Sequence, residues 1–292
     1  VGYASTCDLN YASLEKTLEN AIKAAKSIKK EERHVVESKV NQVEMKSPYK
    51  IDPIDVAPEE KVSAALDANK AAWIDKKIKS AITRLGISKD YRIFMSSEGS
   101  RVVTETTMIG LAHESVAKSN GIMERVPYQE SKCAGYEFIE SMDLNSFAAD
   151  ISALAVEAVE SRTPPAGTYA VVVDPNVIGL LLHEAFGHAS EGDLVSTRES
   201  VLYGKIGSQV ASEHVTIIDE GIIEGGYFYP FDDEGVKKEK TVVVENGILK
   251  SYLHDRASAY QFNVASTGNG RAQDFENLPI VRQTNYYMEP RD

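Results

Sequence analysis

The sequence predicts an α/β fold of the α+β type. It combines a mixed or antiparallel sheet with long helices in the N-terminal region and the start of a β-rich region toward the C-terminus. Three observations predict it. Ahead of Tyr91, two stretches repeat apolar residues at helical spacing. From Tyr91 the period changes to two. After His214, short β-branched runs alternate with Gly, Asp and Asn. The pair Pro164-Pro165 separates an N-terminal α/β region, 1–165, from a second region, 166–292.

Each element follows from local chemistry. "LNYASLEKTLENAIKAAKSIKK" reads as an amphipathic helix on Leu14, Leu18, Ile22 and Ala25, with Asn10 or Ser13 as cap. A polar connector holds Pro48, Pro53 and Pro58. "APEEKVSAALDANKAAWIDKKIKSAITRLG" reads as a second long helix, with Pro58 in its first turn, Gly86 at its end and Trp73 in the core. "YRIFMSSEGSRVVTETTMIGLAHESVAKS" alternates apolar and polar residues around a turn at Glu98-Gly99, which predicts antiparallel strands. His113 within it reads as a solvent-facing strand residue. "NSFAADISALAVEAVESR" is a third helix, capped by Asp143 or Asn145.

Beyond the prolines, "GTYAVVVDPNV" reads as a short buried strand, and "NVIGLLLHEAFGHASEGD" as an apolar helix ended by Gly192. "HVTIIDEG", "GYFYPFDDEG" and "KTVVVENGILKSYLHD" read as strands, with a hairpin at Asn246-Gly247. "RASAYQF" is a short helix. The loop "STGNGRAQ" lacks the lysine of a phosphate-binding loop and the strand-to-helix setting of a dinucleotide fingerprint.

Composition narrows the function. Of 292 residues, 42% are apolar and 26% charged, an ordinary globular balance. A net charge of −12 argues against nucleic acid and anionic membranes as partners. The locally basic "KAAKSIKKEER" reads as a solvated helix face. Two distant cysteines, Cys7 and Cys133, form no disulfide framework, which fits a reducing, cytoplasmic setting. No signal peptide and no apolar run of about 18 residues is visible. The chain opens on Val1 rather than Met and closes on "YYMEPRD" just after a proline, so it is expected to be part of a longer protein.

The chemistry concentrates in "HEAFGH", His183 to His188. The familiar zinc pair spaces its histidines at i and i+4 on one helical face. Here the second falls at i+5. At roughly 100° per residue the two side chains would diverge by about 140° on a regular helix. They would also stand about 7.5 Å apart along its axis. A shared metal therefore demands an irregular helix. Either a π-bulge brings i and i+5 to one side, or the helix ends near Gly187, where glycine tolerates unusual backbone angles. Glu184 has the chemistry of a general base beside a metal-bound water. Glu191 or Asp193 could orient a histidine, or simply terminate and solubilise the helix. The alternative for the whole motif is a hydrogen-bonded polar cluster. A third ligand could come from Cys7, Cys133, His214 or His254, and spacing selects none of them.

With "HEAFGHASEGD" at 183–193, the chain resembles the TldD branch of the TldD/PmbA family of metalloproteases. Supporting stretches are "ASTCDLNYASLEKTLENAIKAAK", "VTIIDEG", "FDDEG", "HDRASAY", "GNGRAQ" and "QTNYYMEP". The resemblance implies a zinc peptidase acting on small or unfolded peptides, working as a homodimer or as a heterodimer with a homologous subunit. It implies His183 and His188 as zinc ligands and Glu184 as general base. It also implies a third ligand, a cysteine in a C-terminal domain expected to begin beyond this chain, which would leave the metal site incomplete. The competing expectation is a non-catalytic peptide-binding or assembly subunit of a heteromeric protease, in which β-rich segments accept an extended peptide by strand addition.

Overall fold

The computed structural model describes residues 1–27 and 34–290. Helix α1 (Tyr11–Ser27) begins where Asn10 Oδ1 accepts the Ser13 amide at 2.9 Å. Its apolar residues Leu14, Leu18 and Ile22 stay exposed. The end of this predicted helix, residues 28–30, and the rest of the basic stretch to residue 33 lie outside the described residues.

Strand β1 (Gln42–Lys46) precedes helix α2 (Pro58–Ala71), which starts on Pro58 as the sequence predicts but stops well short of Gly86. Residues from Ile78 onward form strand β2 (Ile78–Met95) instead, because they pair in antiparallel register with β3 (Arg101–Ser119) over nearly their whole length. "IKSAITRLGIS" carries β-branched residues at alternate positions, and a long partner strand outweighs its moderate helix propensity. Trp73, expected in the core, falls in the connection between α2 and β2 and is 54% exposed.

The β2–β3 turn lies at Glu98-Gly99, where Gly99 takes φ +103°. Asn120 and Gly121, both at positive φ, then turn β3 into β4 (Ile122–Lys132), a strand the sequence reading did not resolve. β1 runs parallel to one end of β3 and β4 antiparallel to its other end, so the four-stranded sheet is mixed.

Short helix α3 (Glu137–Glu140) leads to α4 (Leu144–Glu160), whose start is capped by Asp143 accepting the Ser146 amide. Helices α2 and α4 pack together, and α4 lies on the sheet, with Ala155 and Val159 meeting Ile78 and Ala117. They cover the face of β3 that carries Thr107, Ile109, Leu111, His113, Ser115 and Ala117. This corrects the solvent-facing reading of His113. Period two places it on the covered face, where Thr83 and Ser115 hydrogen-bond its two ring nitrogens at 2.8 and 2.9 Å.

The second region has its own core. Residues 168–173 form no strand, and Val171 and Val172 are exposed rather than buried, since no partner strand is present among the described residues. Helix α5 (Pro175–Leu182) continues into a π-turn, His183–Gly187, and a 3-10 turn, His188–Ser190. Gly192 begins the next helix, α6 (Gly192–Ser196), rather than ending this one. Its amide donates to Leu253 O, and a Cβ there would meet the His254 ring, so close approach is what requires glycine.

Strands β5 (Ile217–Glu220), β6 (Thr241–Glu245), β7 (Ile248–Leu249) and, after helix α7 (Arg256–Phe262), β10 (Asn285–Met288) form an antiparallel sheet in the order β10-β5-β6-β7. β8 (Gly270–Arg271) and β9 (Ile280–Val281) pair separately. Asn246 and Gly247 make the expected hairpin at φ 49° and 79°. "GYFYPFDDEG" makes only isolated bridges, Ile222 to Phe228 and Phe231 to Lys237, where strand was expected. Leu182 of α5 packs among Val195, Ile217, Val244, Leu249 and Leu253. That contact fixes the motif helix against this core. The two regions are joined by ion pairs, Arg256 with Glu98 at 2.8 Å and Arg92 with Asp233 at 3.1 Å.

Candidate metal centre

The helix that carries the motif is built for its place. Asp174 caps it by accepting the Asn176 amide at 2.8 Å, and Pro175 supplies the first helical position. Leu182 anchors its end in the core one residue before His183. There the hydrogen-bond register slips by one. The His188 amide donates to His183 O, an i to i+5 bond that closes the π-turn. The two histidine rings consequently meet, with centroids 4.7 Å apart and planes nearly perpendicular. Of the two distortions the sequence allowed, the π-bulge is the one present. The nearest ligand atoms of His183, Glu184 and His188 all lie within 4.8 Å of one another. Among the described residues they form the one such cluster of histidine, cysteine and acidic side chains.

His183 and Glu184 are exposed and His188 is half-buried, so the cluster opens to solvent while one ligand is held from behind. The holding group is Glu191. Its carboxylate is fully buried, accepts from His188 Nδ1 at 3.1 Å and pairs with Arg282 Nη1 at 2.8 Å. Burial pushes the Glu191 carboxyl above its ordinary range, opposed by the Arg282 guanidinium and the His188 ring. With Nδ1 donating to Glu191, the lone pair of His188 is left on Nε2, the arrangement in which a carboxylate orients a metal-binding imidazole. Two imidazoles and a carboxylate are a donor set that suits zinc. Asp193 does not touch either histidine. It accepts the Leu194 amide at 2.8 Å and the Val281 amide at 3.3 Å, and burial raises its carboxyl as well.

None of the residues weighed as a third ligand joins the cluster. Cys7 and His214 are exposed elsewhere. Cys133 lines a cavity of about 380 Å³ between β2–β3 and residues 227–233, and burial raises its thiol. His254 is buried, bonds Ser258 Oγ at 3.1 Å, and is pushed down to about 4 by loss of solvent.

Sequence reasoning missed Arg282 and Gln283. Both come from the segment between β9 and β10, roughly a hundred residues after the motif. No spacing rule links them to the histidines. The only signal was an arginine beside a glutamine in an otherwise β-rich run, which is not specific.

Two family profiles match the chain. That of the PmbA/TldA metallopeptidase central domain covers residues 51–162, and that of the C-terminal domain of the same family covers residues 166–292. The chain belongs to the PmbA/TldD metallopeptidase family. The motif thus falls within what the profile describes as the C-terminal domain, whereas the sequence reading placed that domain beyond residue 292.

Among its relatives, the chain is 38% identical to a metalloprotease of Methanocaldococcus jannaschii, covering 100% of this chain and 64% of that one. It is 31% identical to a metalloprotease TldD homologue of Haemophilus influenzae, covering 98% and 61%. A zinc metalloprotease TldD homologue of Saccharolobus solfataricus is 31% identical over 69% of this chain and 45% of its own length. The chain therefore spans less than two thirds of the length of these relatives. Solved structures of the same fold include a Thermotoga maritima protein described as a modulator of DNA gyrase, with TM-score 0.81, 25% identity and coverage of 95% and 62%. TldE from Thermococcus kodakarensis superimposes with TM-score 0.77 at 22% identity, covering 100% and 65%. The α/β fold is common to all of them. In this PmbA/TldD chain, no helix among the described residues is long and apolar enough to cross a membrane.

Proposed function

We propose that this chain carries the zinc-binding and proton-transferring residues of a peptidase that hydrolyses small or unfolded peptides. The observation that carries the reading is the π-turn, which brings His183 and His188 together and leaves Glu184 between them on the open side. His183 and His188 hold the ion through imidazole nitrogens. Bound zinc supplies Lewis acidity, lowering the pKa of a water and polarising the peptide carbonyl. Glu184, adjacent in sequence to one ligand and exposed, accepts a proton from the attacking water and returns it to the leaving amine. Glu191 keeps His188 in the tautomer that presents Nε2.

A catalytic zinc site takes three protein ligands and an open position. The cysteine that the family resemblance implies as third ligand is not among the described residues near the cluster. The test is metal analysis with a peptidase assay, run on this 292-residue chain beside the longer gene product. Zinc is expected to be lost on His183→Ala. Glu184→Gln is expected to abolish cleavage with zinc retained, and normal cleavage by that variant would end the general-base assignment. The same reading places the protein in the cytoplasm, paired with itself or with a TldE-like subunit.

One observation favours a second reading as a peptide-binding subunit. Residues 169–173 run extended and exposed just ahead of the motif helix, which suits strand addition by a peptide. Peptide binding that persists with a chelator present, without turnover, would select it.

A further inference from the structure

The π-turn does not stand alone. A helix gains nothing from its own backbone by inserting a residue, so the i to i+5 register needs an outside cause. The structure supplies one in Gln283, which sits in the connection between β9 and β10 and is almost fully buried. Its Nε2 donates to His183 O at 3.2 Å. That carbonyl is the same one that accepts the His188 amide and closes the π-turn. It therefore receives two donors at the one place where the register slips.

The other half of the side chain meets Gly187. A Cβ at residue 187 would overlap the Gln283 amide group, touching Oε1, Cδ and Nε2 together. Gly187 is at ordinary helical angles, φ −58° and ψ −58°. It is thus glycine for space rather than for backbone freedom. Gln283 Oε1 is buried without a hydrogen-bond partner. Turning the amide over would aim that oxygen at the His183 carbonyl, so the donor contact fixes its orientation even though Oε1 remains unsatisfied. The neighbouring residues act on the same helix. Val281 N reaches Asp193, Arg282 reaches Glu191, and the Gln283 carbonyl accepts from Arg271 Nη1.

We propose that Gln283 is a positioning residue. It holds the His183 carbonyl in the π-register and so sets the convergence of His183 and His188, with Gly187 small in order to admit it. This rests on the zinc reading only for its consequence; the geometry it explains is that of the protein backbone.

The test has two arms. In the metal-free chain, amide hydrogen exchange is measured at His188. Gln283→Met keeps the volume and removes the donor, and is expected to lower protection of the His188 amide relative to Leu182, which lies outside the slip. In the second arm, cobalt(II) is titrated as a spectroscopic probe. Gln283→Met is expected to weaken cobalt binding about 10- to 100-fold, as loss of a group supporting a ligand does. Gly187→Ala is expected to weaken it as well, and the double variant Gly187→Ala/Gln283→Ala to bind no worse than Gln283→Ala alone, because the clash is then relieved. Unfolding temperatures identify variants that fail to fold.

Unchanged exchange at His188 in folded Gln283→Met overturns the proposal. So does additive loss of cobalt affinity in the double variant. If the wild-type chain takes up no cobalt, the zinc reading fails instead, and the exchange arm alone decides the role of Gln283.

Discussion

Replacing Glu191 by Gln separates holding a ligand from holding the fold. The carboxylate is fully buried and has two charge-assisted partners, His188 Nδ1 at 3.1 Å and Arg282 Nη1 at 2.8 Å. The amide keeps the shape but can accept through one oxygen only, and its NH₂ must face either the His188 N–H or the guanidinium. His188 then loses its fixed tautomer or its fixed orientation. Support of this kind is worth about 10- to 100-fold in metal affinity, roughly 1.4–2.7 kcal/mol. Stability responds less. Neutralising residue 191 removes the desolvation cost of a buried anion as well as its ion pair, and Arg282 is 42% exposed and regains water. The unfolding free energy is therefore expected to change by only about 1 kcal/mol. Zinc affinity is measured by competition with a chromophoric chelator, and stability by urea unfolding of the metal-free chain. Wild-type affinity in Glu191→Gln would refute the reasoning. A fall in affinity matched by an equal loss of metal-free stability would refute it too.

Three further outcomes follow from buried groups away from the metal cluster. His254 is held near pKa 4 by burial, below the 6.5 of an exposed ring, so the fold keeps it neutral while the unfolded chain takes up a proton. Stability is then complete above about pH 6.5 and falls by at most about 3 kcal/mol as the pH drops to 4; urea unfolding of wild type and His254→Gln across that range should differ by this slope. Lys238 and Asp219 form a fully buried ion pair at 2.9 Å, so Lys238→Met is expected to cost about 3–5 kcal/mol, and Lys238→Met/Asp219→Asn less; an unchanged melting temperature in the single variant would contradict this. Gly192→Ala should cost about 1–3 kcal/mol, because its Cβ meets Leu253 O and the His254 ring, and thermal unfolding reads the loss.

Much of the candidate site was legible because it depends on near neighbours. The i to i+5 spacing of His183 and His188 contradicts a regular helix by arithmetic alone, and the π-turn is the bond that resolves it. Asp143, Asn10 and Asn246-Gly247 act within a few residues of themselves and were found where the sequence put them. What Glu191 does was left open between orienting a histidine and ending a helix, since the choice turns on burial, which Arg282 helps to create.

The misreadings share one cause, the identity of the distant partner. Residues 78–86 can be written as helix or strand, and pairing with β3 decided for strand. His113 alternates correctly along β3, yet only the α2–α4 layer determines that its face is inside. Val171 and Val172 have the composition of a buried strand and stay exposed among the described residues because nothing described here pairs with them. By itself, then, the sequence determined the ligands, the base and the need for a distorted helix, because covalent spacing and helix geometry are local. Tertiary structure alone decided which distortion occurs and what braces it. Arg282 and Gln283 reach Glu191 and His183 across roughly a hundred residues, and such contacts arise from the packing of whole elements rather than from any pattern within one.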